Sequence, residues 1–338
     1  MATQKLDIYK LHFTSPIHFG DLRDDYGVSL KTIPSDTFYA ALISCLAKLG
    51  KGKRFADNGD LGCTISSLFP FYQADKTSEH VLFFPKPLSL HPADDKHAVA
   101  NRKRIRNVTW MDTTYFSKVL CGEPVFDENT IKNAIKGEYL TDRPIDKDFI
   151  KSSVTSRSAI SRTGEVNAEF FYMDRIAFEG CSGLFFIVDG NTELLDEALA
   201  LLQHEGVGTD RNIGNGCFEY DKTSVEIDVP DNSDFALSLS SFVPESKEEL
   251  LSFLDDDRVA YDFQRRGGWI TTHPFNEFRK DVVYAFTAAS VFRWKNCERL
   301  STKGKVSIDL QPGIMKGMNE AHPIWRCGRA LFVPIKLN

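Results

Sequence analysis

Apolar and polar residues alternate from residue 5 to 13, where Leu6, Ile8, Tyr9, Leu11 and Phe13 fall mostly on one face, and this period of two predicts a first strand. The period changes after Pro34-Ser35-Asp36-Thr37. Phe38, Leu42, Ile43, Leu46 and Leu49 recur at helical spacing up to Gly50, with Ser35 or Asp36 as the expected N-cap. Residues 68–72 and 81–84 read as a small hairpin, 112–120 as a short helix, and 169–178 and 184–188 as strands joined by a turn with Gly180 and Gly183. Leu194, Leu195, Ala198, Leu199, Leu201 and Leu202 predict a second helix that stops at Gly206, followed by a strand at 216–220 that 225–229 extends. The order is β, α, insertion, β, β, α, β, which is ferredoxin-like with a large insertion after the first helix, over about residues 51–168. Pro230 to Asp234 reads as a linker and divides the chain into 1–229 and 230–338. Beyond it an alternating stretch at 235–243, a short helix at 245–254 and strands up to 331–337 start a second sheet, so the class is α+β.

Between the second helix and its following strand lie Gly206, Gly208, Gly214 and Gly216, with Arg211, Asn212 and Asn215 among them. Such glycine density suits a backbone that takes positive φ and lies close to a ligand. The order helix, loop, strand is the reverse of the dinucleotide and P-loop arrangements, in which a strand leads through the loop to a helix N-terminus. A nucleotide-dependent enzyme is therefore not expected. Read from the residues alone, a connector with turn glycines and a loop that holds a ligand both stand. A loop that holds a ligand is expected to carry little core, so that valine at Gly214 and Gly216 leaves the fold intact, whereas a connector allows simple unfolding. Two further segments carry cations. Residues 101–106, Asn-Arg-Lys-Arg-Ile-Arg, form a phosphate contact or a solvated helix face. Residues 152–168 are rich in Ser and Thr, include Arg157 and Arg162, and read by composition as a loop.

At 338 residues the chain can bury two cores. A hydrophobic content of 42% with 26% charged residues is that of a globular protein, no run is long enough to cross a bilayer, and the N-terminus has no apolar signal core. A cytoplasmic protein without a membrane partner is expected. The seven cysteines are scattered without a C-x-x-C pair and the histidines show no H-E-x-x-H spacing, so neither a metal site nor a cofactor is expected. A net charge of −6 argues against a free-standing nucleic-acid binder. The objection weakens for one subunit of an assembly, whose acidic faces meet protein while a local basic groove meets RNA.

Several segments carry a resemblance. Helix, then G-x-G-x-x-R-x-x-G-x-G over 206–216, then strand is similar to the glycine-rich loop of the RAMP proteins of CRISPR systems. F-T-S-P-I-H-F-G at 13–20 resembles their first strand exit, and P-S-D-T at 34–37 their first helix start. Arg157, Ile160, Arg162, Thr163 and Gly164 meet a pattern of the Csm-type subunits, as do R-x-G-G-W at 265–269 and the ending C-G-R-A-L-F-V-P-I-K-L, where Cys327 replaces a common tyrosine. The chain is thus similar to the 5′-tag-capping RAMP subunit of type III-A (Csm) CRISPR effector complexes. That resemblance implies two tandem ferredoxin-like (RRM-like) RAMP domains, the second degenerate. It implies a non-catalytic role in holding the crRNA 5′ tag, with the large palm-domain subunit and the backbone RAMP subunit as partners. The RNA-binding residues it implies are His18, Ser35, Thr37, Arg157, Arg162, Gly208, Arg211, Asn212, Gly214, Asn215 and Gly216. The alternatives are the equivalent type III-B subunit and a metal-independent RAMP endoribonuclease using His18 as general acid or base.

Overall fold

The computed structural model describes residues 1–20, 26–91, 101–159 and 169–337. In the first part of the chain the strands are β1 (Ala2–Phe13), β2 (Cys63–Ile65), β3 (Phe69–Tyr72), β4 (Val81–Pro85), β5 (Trp110–Asp112), β6 (Ile135–Lys136), β7 (Tyr139–Leu140), β8 (Ile150–Ala159), β9 (Glu169–Phe178), β10 (Gly183–Gly190) and β11 (Phe218–Val229). The helices there are α1 (Ser35–Leu46), α2 (Arg102–Asn107), α3 (Thr113–Leu120), α4 (Glu128–Asn133) and α5 (Glu193–Glu205). One sheet runs in the order β11-β1-β10-β3-β4-β5-β7-β6, with β2 also on β10. All its pairs are antiparallel except β5 with β7. β1 and β11 pair in unbroken register from Ala2↔Val229 to Phe13↔Phe218.

The ferredoxin-like order is present, with one strand reassigned. β1, α1, β2 with β3, β10, α5 and β11 follow β-α-β-β-α-β, and their spatial order places β11 and β10 on either side of β1. The second strand was expected at 169–178, whereas residues 63–72 occupy that place beside β10. The insertion consequently falls between the second and third sheet strands instead of directly after the first helix. Glu169–Phe178 does form a strand, but it pairs over its whole length with β8 as a separate two-stranded hairpin. The Ser/Thr-rich segment read as a loop is therefore extended up to residue 159. Alternating Ser and Thr suit an exposed strand, and composition without period could not distinguish this from a loop. Arg162 and its neighbours lie outside the described residues.

Helices α1 and α5 lie together on one face of the sheet, where Phe38, Leu42, Cys45, Leu46, Leu195, Leu199 and Leu202 are buried. Tyr9 of β1 points to that side, stacking on Phe186 with ring centroids 5.1 Å apart and donating its hydroxyl to Asp196 at 2.6 Å. The other face is covered by α3, whose N-cap Asp112 accepts from Tyr115 N and whose Phe116 stacks on Phe84 at 4.4 Å.

The second part contains β12 (Ser233–Ser238), α6 (Lys247–Phe253), β13 (Phe263–Arg266), β14 (Val283–Phe286), β15 (Val291–Cys297), β16 (Ser301–Lys303), β17 (Ile308–Asp309), β18 (Trp325–Arg326) and β19 (Ala330–Pro334). Its sheet is ordered β15-β12-β19-β16, with β13-β14 and β17-β18 as separate hairpins. The expected linker at 230–234 is partly strand, because β12 already starts at Ser233.

The two parts are joined by a polar seam. Ser67 N donates to Leu239 O at 2.8 Å and Ser240 Oγ to Ile65 O at 2.9 Å. Ser35 was expected to cap its helix or to meet RNA. Instead helix α1 has Pro34 at its N-cap without a side-chain bond, and Ser35 Oγ accepts from Ser241 N at 2.8 Å. Asp36, 2% exposed, accepts from Ser241 Oγ and lies 3.3 Å from Arg266 and 3.2 Å from Arg326. Arg326 also donates to Asp36 O and to Thr37 Oγ1. Burial, with Arg266 adding to it, pushes the Arg326 guanidinium below its ordinary value against the pull of Asp36. The P-S-D-T segment is thus an internal joint, and the hydroxyls of Ser35 and Thr37 are both taken up there.

Candidate nucleic-acid interface

The glycine loop leaves α5 through Gly206, which takes φ +75° and donates its N–H to Leu202 O. It returns beside its own start: Val207 N donates to Gly216 O at 3.0 Å, and Gly216 N to Pro16 O at 3.0 Å. Thr209 N donates to His18 O at 3.0 Å, Cys217 N to Ser15 Oγ at 2.9 Å and Thr14 N to Cys217 O at 2.9 Å. The strand exit 14–20 and the glycine loop are therefore one hydrogen-bonded unit.

The glycines make this closure possible, each in its own way. A Cβ on Gly206 would stand 2.3 Å from Asn215 O, on Gly208 2.5 Å from His18 O, and on Gly216 1.9 Å from Val207 O. Gly206 and Gly216 admit the loop's own backbone, and Gly208 that of the strand exit. Gly214, at φ +86°, faces open space. Arg211–Ile213 forms a 3-10 turn between Asp210 and Gly214, both left-handed, with Asn212, Ile213 and Gly214 exposed and Arg211 half-buried. The part of the loop able to meet a ligand is this turn. The expectation that valine at Gly214 and Gly216 would leave the fold intact holds sterically at the first position and fails at the second.

His18 is buried, 1% exposed. Its Nδ1 lies 2.6 Å from Asp174 O, so that nitrogen carries the proton and donates. The neighbouring Ile17 exchanges both backbone bonds with Ile176 at 2.9 Å, which ties the strand exit to β9. The Asp174 carboxylate accepts from Ser29 N at 2.9 Å and from Ser152 Oγ. His18 is thereby a packing residue between loop and hairpin, with the ring of Tyr26 5.9 Å away.

The β8-β9 hairpin brings cations to the loop. Arg157 Nη2 donates to Asp210 Oδ2 at 3.1 Å, and Arg175 Nη2 lies 3.8 Å from the same oxygen. Sequence reasoning missed Arg175. Strand register supplies the signal: Arg157 pairs with Phe171, and Arg175 lies two strand pairs further on the same face. On the opposite face Phe170 and Tyr172 are 79% and 67% exposed. Of the residues named from sequence, the structure brings together His18, Arg157, Gly208, Arg211, Asn212, Gly214, Asn215 and Gly216. Ser35 and Thr37 belong to the seam. Among the described residues no group of three or more His, Cys, Asp or Glu side chains could hold a metal ion, and no helix is long and apolar enough to cross a membrane.

This geometry defines a class: an α+β chain on ferredoxin-like antiparallel strands, with a cationic hairpin set against a closed glycine loop. Within that class the resemblance is to the Csm4 proteins of CRISPR systems. Residues 231–335 match the CRISPR Csm4 C-terminal domain. The chain is 26% identical over 250 residues to the CRISPR system Cms protein Csm4 of Thermococcus onnurineus (strain NA1), covering 70% of this chain and 74% of that protein. It is 24% identical over 293 residues to the protein of the same name from Streptococcus thermophilus, covering 84% and 88%. The fold is similar to a chain of the Csm1-Csm4 cassette solved in complex with pppApA, with a TM-score of 0.57, 18% identity and 99% of each chain covered. It is also similar to a chain of the Csm3-Csm4 subcomplex of the type III-A CRISPR-Cas interference complex, at 0.55, 15% identity, and 98% and 100% covered.

Proposed function

We propose that the chain is a non-catalytic RNA-binding subunit of a type III-A (Csm) CRISPR interference complex, holding the 5′ tag of the crRNA. In this reading the tag runs along the Arg211–Ile213 turn and the Arg157 side of the β8-β9 hairpin. The observation that carries it is the loop itself: three glycines let it close on itself and on the strand exit, so that the one exposed turn, with Arg211 and the open Gly214, is presented beside Arg157. Backbone N–H groups and guanidiniums at such a turn suit the phosphates of a single strand. The similar structures come from a Csm1-Csm4 cassette and a Csm3-Csm4 subcomplex, which supports an assembly role. We read the large palm-domain subunit and the backbone RAMP subunit as the two neighbours that the chain bridges. The two sheets are then tandem ferredoxin-like units, the second degenerate, in a cytoplasmic, prokaryotic setting. The burial of His18 and its bond to a backbone carbonyl favour packing over acid-base chemistry.

Guide RNA retention by the assembled complex tests the placement. Arg157→Ala with Arg162→Ala should lose more RNA than Arg102→Ala with Lys103→Ala, whose side chains stand exposed on α2. Equal or reversed losses in filter binding would refute it.

A further inference from the structure

Asp210 stands where two arginines converge, and the local charges do not balance. Arg157 and Arg175 both address Oδ2 of this single carboxylate, at 3.1 and 3.8 Å. Asp174, next in sequence to Arg175, turns its carboxylate to Ser29 N and Ser152 Oγ and makes no ion pair with either arginine among the described residues. Two guanidiniums against one carboxylate leave a net positive charge. The site is also short of acceptors. Nε and Nη2 of Arg175 are buried without a hydrogen-bond acceptor among the described residues, and so is Nδ2 of Asn215, a 5% exposed residue of the same loop whose backbone N donates to Asp210 O. Buried donors of this kind are costly to leave unmade. Asp210 thus satisfies this arginine pair only in part, and an anion with more acceptor oxygens would satisfy it better.

The position of Asp210 indicates which anion fits. Its backbone is left-handed at φ +62°, at the junction between the glycine-closed frame and the exposed Arg211–Ile213 turn. Its carboxylate presents one oxygen, Oδ2, and one charge to two guanidiniums, whereas a backbone phosphodiester carries the same charge on two free oxygens, one for each guanidinium. Without an anion between them, Arg157 and Arg175 would repel each other. We propose that the Asp210 carboxylate is a built-in place-holder for an RNA phosphate: in the free chain it keeps Arg157 and Arg175 together, and a phosphate of the bound strand takes its place between them. Arg175 is then an RNA-binding residue, and Asp210 a residue that weakens binding while keeping the site formed. This inference rests on the RNA-binding reading above.

The test measures anisotropy of the full chain with a labelled single-stranded RNA of the guide's 5′-end sequence, across a salt series. Asp210→Asn should tighten binding at low salt by roughly two- to fivefold, the scale of one exposed charge contact. Asparagine is isosteric with aspartate and tolerates the left-handed conformation, so this variant should fold. Arg175→Gln should weaken binding and flatten log K against log [salt] by about 0.7, which is about a 2.6-fold smaller loss over a fourfold rise in salt. Unchanged or weaker binding by Asp210→Asn, with the unmodified chain still binding, would overturn the place-holder and leave the RNA reading standing. Absence of binding by the unmodified chain at low salt would overturn the RNA reading and this inference with it.

Discussion

Replacing Gly216 by alanine should destabilise the protein clearly more than replacing Gly214, although both glycines are left-handed and two residues apart. At Gly214 the new Cβ meets no atom within 4 Å, so the cost is the left-handed backbone alone, about 1–2 kcal/mol. At Gly216 the same backbone cost applies, and the Cβ also falls 1.9 Å from Val207 O and 2.7 Å from Val207 N. These are backbone atoms that cannot rotate away. Relieving the overlap strains the bonds from Val207 N to Gly216 O and from Gly216 N to Pro16 O, at about 0.5–1.5 kcal/mol each. The sum is about 2–5 kcal/mol. With an unfolding entropy of about 0.7 kcal/mol/K for 338 residues, Gly216→Ala should lower Tm by about 3–7 °C and Gly214→Ala by about 1.5–3 °C. Calorimetry on both variants measures this. Equal shifts would refute the reasoning, since they would mean that the loop is not closed through Gly216. Gly214→Ala remains the variant in which a change in RNA binding can be separated from a change in fold.

Two other outcomes follow from the buried polar groups. Asp36→Ala should cost about 3–5 kcal/mol in denaturant unfolding, because it leaves Arg266 and Arg326 in the seam without their carboxylate; a loss below about 1 kcal/mol would show that the seam does not depend on the ion pair. His80 is held below its ordinary value by burial, with Lys10 adding to it against Asp221 and Glu79. Below about pH 6.5 the unfolded chain therefore takes up a proton that the folded chain resists, so stability should fall as pH drops through that window. His80→Gln should flatten the pH dependence of Tm there, and an unaltered profile would count against it.

Much of the fold is legible in the sequence, because its long elements keep a clean period. Residues 5–13 within β1, the apolar stripe of α1 and that of α5 needed no tertiary knowledge. The assignment of β9 to the sheet failed for a physical reason: strand periodicity marks a strand but not its neighbour, and the short β2 and β3 took the place beside β10. The candidate site was legible in its glycines and in Arg157, but their purpose was not. Glycines that admit a phosphate and glycines that admit their own backbone look alike in sequence, and Gly216 proved to be of the second kind. Ser35 and Thr37 were ambiguous in the sequence because a hydroxyl at a helix start satisfies a cap, a ligand or, as Ser35 does here, a distant Ser241 equally well. Arg175 went unnoticed because its partner Asp210 lies in another element and is reached only through strand register.

The long partnership of β1 also has a consequence for synthesis. Its first strand partner in the sheet begins at Gly183, and Leu11 waits for Leu184. At about 5–20 residues per second a ribosome needs roughly 10–35 seconds to make the intervening stretch. Throughout that time this amphipathic strand has neither of its neighbours. A chaperone attending this chain would have β1 to shield until β10 arrives.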